Sequence, residues 1–423
     1  MKNTPIQGIA AVICTVMLLF VAAYAQFQIS PIAHLIMPAY GMDHTQFSIL
    51  FSSTMIAGIV LSLVAGLLCD KFGTRAVVAV GGVATTIALI ARIFAADYTT
   101  LFICMAAAGF VVTFINANIA KIMGSWFTPD KVGVAVGIGL SGTTLGMAVA
   151  MSTSALFDSI QSLFVFTAIV SVVATIAWVA FYREGPYAPQ RETAKNNEGP
   201  ALRECLKVAA KSRNVWVIGC IVGLVMAATM FITAFLPQVL QTLHGLNPAS
   251  AGMYTSLFTF GNLAGTIITP IIVMKLHRFK PVMIAMALLS AVGTFIAWQL
   301  SPGFAMGMAL FLAGIAMNGI IVTMVAQPIL LPEIGPIYAG TAGGIVATLQ
   351  LSGAVIIPSY IVVPLVGANY PVLYAIAAAL CLIVAVLICI VPDTVANQAT
   401  SLEDPKNTRT EGTPLSNVSV ETV

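Results

Sequence analysis

Gly66, Asp70, Lys71, Gly73 and Arg75 carry the first chemistry legible in this chain, set close together between two long apolar runs. A carboxylate beside two cations can form an ion pair or hold a helix N-terminus. Gly73 can take the positive φ that a short hairpin needs, and Gly66 leaves room for another helix to approach. A pairing made in one conformation and broken in another biases a two-state equilibrium. That role is mechanical rather than catalytic. The plainer reading is a surface loop anchored in water by Lys71 and Arg75, but it leaves Asp70 and both glycines without a purpose.

Little other reactive chemistry stands out. The seven cysteines (Cys14, Cys69, Cys104, Cys205, Cys220, Cys381 and Cys389) show no paired spacing. Most lie in apolar stretches, where cysteine acts as a small hydrophobe. Neither a disulfide framework nor a metal-ligand set is evident. No Gly-x-x-x-x-Gly-Lys-[Ser/Thr] loop occurs, which argues against nucleotide-driven pumping by this chain. The expectation is no enzyme, no cofactor and no metal. His34 is the candidate that titrates nearest neutral pH, or else an ordinary surface hydrogen bonder. Arg92 stands apart from the other basic residues. It can draw anions into a vestibule, snorkel to the interface, or pair with Asp97.

The elements that must position these residues follow from composition. Hydrophobic residues make up 59% of the chain and charged residues only 8%, against about 25% charged in soluble domains. Asp, Glu, Lys and Arg are absent from 3–42, 132–157, 214–274, 281–332 and 334–392. A spanning helix takes about 20 apolar residues, so each run holds one or two spans. Such continuous apolar runs are helical, since barrel strands would alternate. Twelve spans are expected: 8–32, 46–69, 75–96, 99–123, 132–156, 160–182, 214–238, 249–274, 281–300, 303–330, 338–364 and 369–391. Lys2, the apolar stretch after it and the Ala23, Tyr24, Ala25 triplet mimic a leader peptide, but removing that segment would leave an odd number of spans.

Placing the N-terminus in the cytoplasm puts every Lys and Arg except Arg92 on the cytoplasmic side, as the positive-inside rule requires. The net charge of +3 therefore reflects membrane anchoring and not nucleic acid. The halves repeat. A shift of 204 pairs Gly41 with Gly245 and Lys71 with Lys275. A shift of 207 pairs Pro129, Gly133, Ala135, Gly137 and Gly146 with Pro336, Gly340, Ala342, Gly344 and Gly353. The expected organisation is an N-terminal six-helix half over 1–183, a basic cytoplasmic linker over 184–213, a second half over 214–392 and a polar, disordered cytoplasmic tail over 393–423.

The spacing Gly66, Asp70, Lys71, Gly73, Arg75 resembles the signature loop between the second and third helices of the major facilitator superfamily. The resemblance covers nearly the whole chain to about residue 392. The run from Trp126 to Gly146, with Pro129, Asp130, Lys131, Gly133 and Gly137, is similar to the nitrate/nitrite, cyanate and organic-anion branches. The resemblance implies an all-α membrane protein, twelve transmembrane helices in two pseudo-symmetric halves, with the 66–75 loop latching the cytoplasmic side. It also implies a cavity lined by spans one, four, five, seven, eight, ten and eleven. The polar residues near those span centres are the cavity candidates: Tyr24, Gln26, Asn116, Asn118, Thr143, Thr144, Asn262, Asn318 and Gln350; Lys121, near the inner end of span four, is a further candidate that can greet an anion on the cytoplasmic side or simply anchor the helix. Amides buried in hydrocarbon need partners, so helix–helix bonding is the competing explanation for each. The second latch is degraded, with Met274 and His277 where the first has Asp70 and Gly73. Span four lacks the arginine of drug antiporters, since Met105 stands between Leu101 and Gly109, and spans two and eight lack the arginines of nitrate porters. No carboxylate lies near a span centre to relay protons.

The expected function is secondary transport of a small anion or organic acid by a monomer in the cell membrane, with or without a coupling ion. Export of neutral or amphiphilic compounds is the alternative, favoured by Met226, Met230, Met253, Met317 and Met324, which suit adaptable packing. A non-transporting sensor would keep the cavity and lose the loop, which is intact here.

Overall fold

A computed structural model describes residues 5–127, 129–186, 202–276, 278–331, 333–367 and 369–392. Among the described residues, twelve helices are long and apolar enough to cross a membrane. Spans one to three are Pro5–Phe27, His44–Phe72 and Thr74–Ala91. Span four is Tyr98–Ala108 continued by Phe110–Gly124, with a turn at Gly109. Spans five and six are Pro129–Thr153 and Ile160–Phe181. Spans seven to ten are Arg213–His244, Pro248–Leu276, Phe279–Ile296 and Phe304–Val325. Span eleven is Gly335–Ile356 extended by a π-helical stretch, Ile357–Val362, and span twelve is Tyr370–Ile390.

Polar residues at the ends of the apolar runs define where the helices begin. Asp43 accepts from the Gln46 N–H at 2.7 Å while Gln46 reaches back to the Asp43 N–H, a capping box that starts span two. Asp97, Ser159, Ser212 and Asn369 cap spans four, six, seven and twelve in the same sense. Several boundaries differ from expectation by a few residues, and two of these have a visible cause. Span one ends at Phe27 rather than 32, because the chain turns so that Ser30 can bond span seven. Span seven runs on through Pro237 to His244, and stops where Gly245 turns left-handed at φ +64°.

The packing of the two halves is equivalent helix for helix. Span one lies on five and six, two on four, and three on four and six; likewise seven lies on eleven and twelve, eight on ten, and nine on ten and twelve. The halves meet where span five packs on eight and span eleven on two. Gly146 and Gly353, paired by the 207-residue shift, both press on the backbone of a partner helix, at Phe20 and Gly223 respectively. The expected tail over 393–423 and half of the linker, 187–201, lie outside the described residues.

Candidate functional site

The closure between the halves has a direction. One face of the molecule carries the 66–75 loop and the ends of the linker; it is called the basic face here. On the opposite face the Ser30 hydroxyl lies 2.7 Å from the Thr233 carbonyl and 2.8 Å from that of Ala234, and Gln241 donates to the Pro31 carbonyl at 3.1 Å. Ser359, in the π-helical stretch of span eleven, sits 3.0 Å from the Ser48 hydroxyl, 2.9 Å from that of Ser52 and 2.9 Å from the Ser48 carbonyl. Below them Phe27, Phe51, Phe47 and Phe235 form a chain of rings with centroids 5.3, 6.3 and 6.1 Å apart, crossing from the first half into span seven.

Towards the basic face the helices separate. A Cβ built on Gly124, Gly137, Gly343 or Gly344 would meet nothing within 4 Å. Gly137 and Gly344 are equivalent in the repeat and both are exposed. Exposed Asn116, Lys121 and Thr348 lie on the same portions of spans four and eleven. Polar side chains exposed along a spanning helix suit a water-filled wall better than lipid. The arrangement is a cavity closed at the opposite face and open at the basic face.

The cavity candidates separate into two groups. Tyr24 is buried, its hydroxyl 3.0 Å from that of Thr153. Gln26 donates to the Phe51 carbonyl at 3.0 Å, and Asn118 to the Ala65 and Phe114 carbonyls at 3.2 and 3.0 Å. Asn262 is buried against span ten. Tyr24, Gln26 and Asn118 are spent on contacts inside the first half, as buried polar groups usually are, whereas Asn262 is buried with its side-chain oxygen unpartnered. Asn116 and Lys121 are exposed, and Thr143, Thr144, Asn318 and Gln350 are half-buried. Asn318 donates to the Asn262 carbonyl and the Thr266 hydroxyl at 2.8 and 2.7 Å. Gln350 has only a weak contact, 3.9 Å to the Met226 sulfur, leaving its amide free for another partner. Thr229 donates to the Met317 sulfur at 3.5 Å, both side chains being buried in the core of the second half.

Arg92 departs from the vestibule expectation. It is 0% exposed, neither snorkelling nor paired with Asp97, which caps Thr100 instead. The guanidinium donates to the Ala25 carbonyl near the end of span one, where helix carbonyls lack partners and favour a cation. His34 is exposed on a short helix, Ala33–Ala39, at the opposite face.

In the loop, Gly73 alone joins spans two and three at φ +88°. The loop docks on the end of span six: Arg75 donates to the Val179 carbonyl at 2.8 Å and Trp178 to the Arg75 carbonyl at 3.2 Å. A Cβ on Gly73 would lie 2.8 Å from the Glu184 carboxylate, which also accepts weakly from Thr74 at 3.4 Å. Glu184 thus stands at the N-terminus of span three, and the glycine at 73 is required for its positive φ. Lys71 lies over the Phe72 ring, 5.2 Å from its centroid. The side chains of Gly66 and Asp70, and those of Pro129, Asp130, Lys131 and Gly133, lie outside the described residues, as does His277.

Sequence reading missed Ser30, Ser48, Ser52, Ser359, Glu184 and Glu333. Serines scattered through apolar runs carry no periodic signal. The pairing of Ser48 with Ser359 brings together residues far apart in the chain. Glu333, the one carboxylate between the clean runs 281–332 and 334–392, was a visible flag. It accepts from Ser212 at 3.1 Å and Asn214 at 2.8 Å, tying the start of span seven to the span ten–eleven connection. Burial pushes its carboxyl up, but its own backbone N–H, Asn214 and Ser212 together hold it below the usual range. That tie is therefore present above the ordinary glutamate pKa and is lost as pH falls through the lowered folded value.

The Ser359 cluster yields a prediction. Replacing Ser359 with alanine removes bonds worth about 0.6 kcal/mol each in membrane proteins. The population closed at the opposite face should fall relative to the open one by about tenfold. Spin-label distances between the opposite-face ends of spans two and eleven measure this, and an unchanged distribution would refute it.

The sequence profile described as Major Facilitator Superfamily matches residues 15–358. The hexuronate transporter of Bacillus subtilis is 27% identical over 165 residues, 38% of each chain. A probable nitrate/nitrite transporter, NarK2, of Mycobacterium tuberculosis is 24% identical over 245 residues, 54% of this chain and 57% of that protein. The chain thus matches about half the length, or less, of these curated relatives. The inward-facing, unoccupied crystal structure of a bacterial homologue of the human lysosomal transporter Spinster superposes with TM-score 0.70 at 13% identity, covering 95% of this chain and 99% of that one. That likeness concerns the fold.

Proposed function

Because the chain belongs to the major facilitator superfamily, a family of transporters and not enzymes, we propose that it carries a small anion or organic acid across the cell membrane by rocking its two halves about the central cavity. The observation that carries this reading is the one-sided closure: hydrogen bonds and aromatic rings at the opposite face, open space at Gly137 and Gly344. Both termini and the basic face lie in the cytoplasm, since the Lys and Arg residues gather there. The form described is then open to the cytoplasm.

In the opposite form the 66–75 loop latches the cytoplasmic side, with Asp70 engaging the second half. Arg75 and Glu184 hold the loop on span six within the first half, so Asp70 has a rigid base from which to act. Asp70→Asn should slow turnover about tenfold while changing substrate affinity by less than about threefold, because a latch biases conformations and does not touch cargo. Single-turnover and equilibrium-binding measurements separate the two; a collapse of binding with turnover preserved would refute the latch.

Lys121 at the open mouth and the amides of Asn116 and Gln350 suit an anion that carries its own hydrogen-bond acceptors, whereas both N–H groups of Asn318 are spent on Asn262 and Thr266. The named relatives, a hexuronate and a nitrate/nitrite transporter, support the same class. The partly exposed Met226 thioether beside Gln350 favours a second reading, a neutral amphiphile. Uptake of labelled hexuronates, nitrate and neutral amphiphiles into proteoliposomes, with and without a pH gradient, decides between them. Transport of neutral compounds alone would overturn the anion reading, and indifference to the gradient would exclude proton coupling. The working unit is a monomer, since each chain holds a complete pair of halves.

A further inference from the structure

Arg92 presents a chemical problem that its neighbours do not solve. It lies in the short turn Arg92–Phe94 that ends span three and is wholly buried. A guanidinium carries five N–H groups. The Nη1 nitrogen donates to the Ala25 carbonyl at 3.1 Å and the Met105 sulfur at 3.2 Å. The Nε and Nη2 nitrogens, which carry the other three, are buried without a partner. The Phe164 ring faces the group, 4.1 Å from Cζ. Tyr40 and Cys104 are the ionisable side chains near it, both neutral in their ordinary form, and among the described residues no carboxylate acts on it. A buried charge of this kind is normally paired or fully hydrogen-bonded.

We propose that Arg92 holds a small inorganic anion of halide size, resident inside the first half. Nε and Nη2 form one edge of the planar guanidinium, so a single ion can accept from both at once. Water would satisfy the N–H groups and leave the charge; an anion does both. The guanidinium itself is held by span one at Ala25, span four at Met105 and span six at Phe164. All belong to one half and are buried, so the ion is a fixture and not cargo, and its assignment does not rest on the transport reading. It also has a structural consequence. The Ala25 carbonyl that accepts from Arg92 accepts from Gln28 at 3.2 Å, and the turn continues to Ser30, which bonds the second half. A neutralised Arg92 steadies the end of span one from which this closure hangs.

The test uses the full-length protein in detergent, with chloride or gluconate at constant ionic strength. The thermal midpoint of the wild type should rise saturably in chloride by roughly 2 °C or more, and Arg92→Gln should lose that response. Identical wild-type midpoints in the two salts would overturn the proposal, as would an undiminished chloride response in Arg92→Gln. Should the variant not fold, bromide-soaked crystals of the wild type decide. An anomalous peak beside Nε and Nη2 supports the site, and its absence overturns it.

Discussion

Gly252→Leu should leave both halves folded and cut transport at least tenfold. Gly252 begins span eight at the opposite face, where it crosses span five. A Cβ there would run into the Met151 carbonyl and lie 3.5 Å from Pro31. Both neighbours belong to the other half, so a leucine need not break any contact inside its own helix bundle. The halves can relieve the clash by opening at this face, which the transport cycle requires them to do in any case. Overpacking of a tight contact costs about 1–3 kcal/mol, enough to reverse a balance set by a few hydrogen bonds. Cysteine labels placed on the opposite-face ends of spans five and eight should become more reactive, with a normal thermal midpoint. Transport above half the wild-type rate would refute the assignment of this crossing to the gate. Gly344→Leu is the mirror control: its Cβ meets nothing in the form described, so labelling there should stay unchanged while closure of the basic face, and with it transport, fails.

Gly146→Leu should instead remove the folded protein. A Cβ at this position would fall 2.9 Å from the Phe20 Cα and 3.0 Å from its carbonyl carbon. Those are backbone atoms of span one, packed in the same half, and no functional motion separates the two helices. In a membrane, helix association relies on this close approach of backbones and not on a hydrophobic driving force. A leucine pushes the pair apart along its length, so the cost should sit at or above the upper end of the overpacking range, about 3 kcal/mol. Monodisperse yield should drop at least tenfold. Gly343→Leu, facing open space, should leave yield intact. Equal yields for the two variants would show that the span one–five contact does not hold the half together.

Much of this architecture was legible in the residues. The uncharged runs held eight of the twelve spans and the apolar stretches between charges marked the other four, and the 207-residue shift paired Gly146 with Gly353, both of which press on a partner backbone. Gly73 was readable as a hairpin residue, and its φ of +88° bears that out. Among the cavity candidates the reading was coarser. Gln26 and Gln350 look alike in sequence, each an amide in an apolar span. One is spent on the Phe51 carbonyl while the other has only a weak sulfur contact. Arg92 was correctly singled out as anomalous, but its burial against Phe164 depends on three other helices.

The sequence by itself therefore determined the number of spans, their membrane setting, the repeat and the position of the hairpin. Each follows from local hydropathy, charge and backbone freedom, which act over one helix at a time. Only the tertiary structure decided which face is closed, which polar residues are spent on neighbours, and that Ser30, Ser48, Ser52 and Ser359 join the halves. Those outcomes depend on helix rotation and on contacts between residues hundreds of positions apart. In an apolar chain nearly every helix face is equally greasy, so hydropathy gives no signal for which face turns inward.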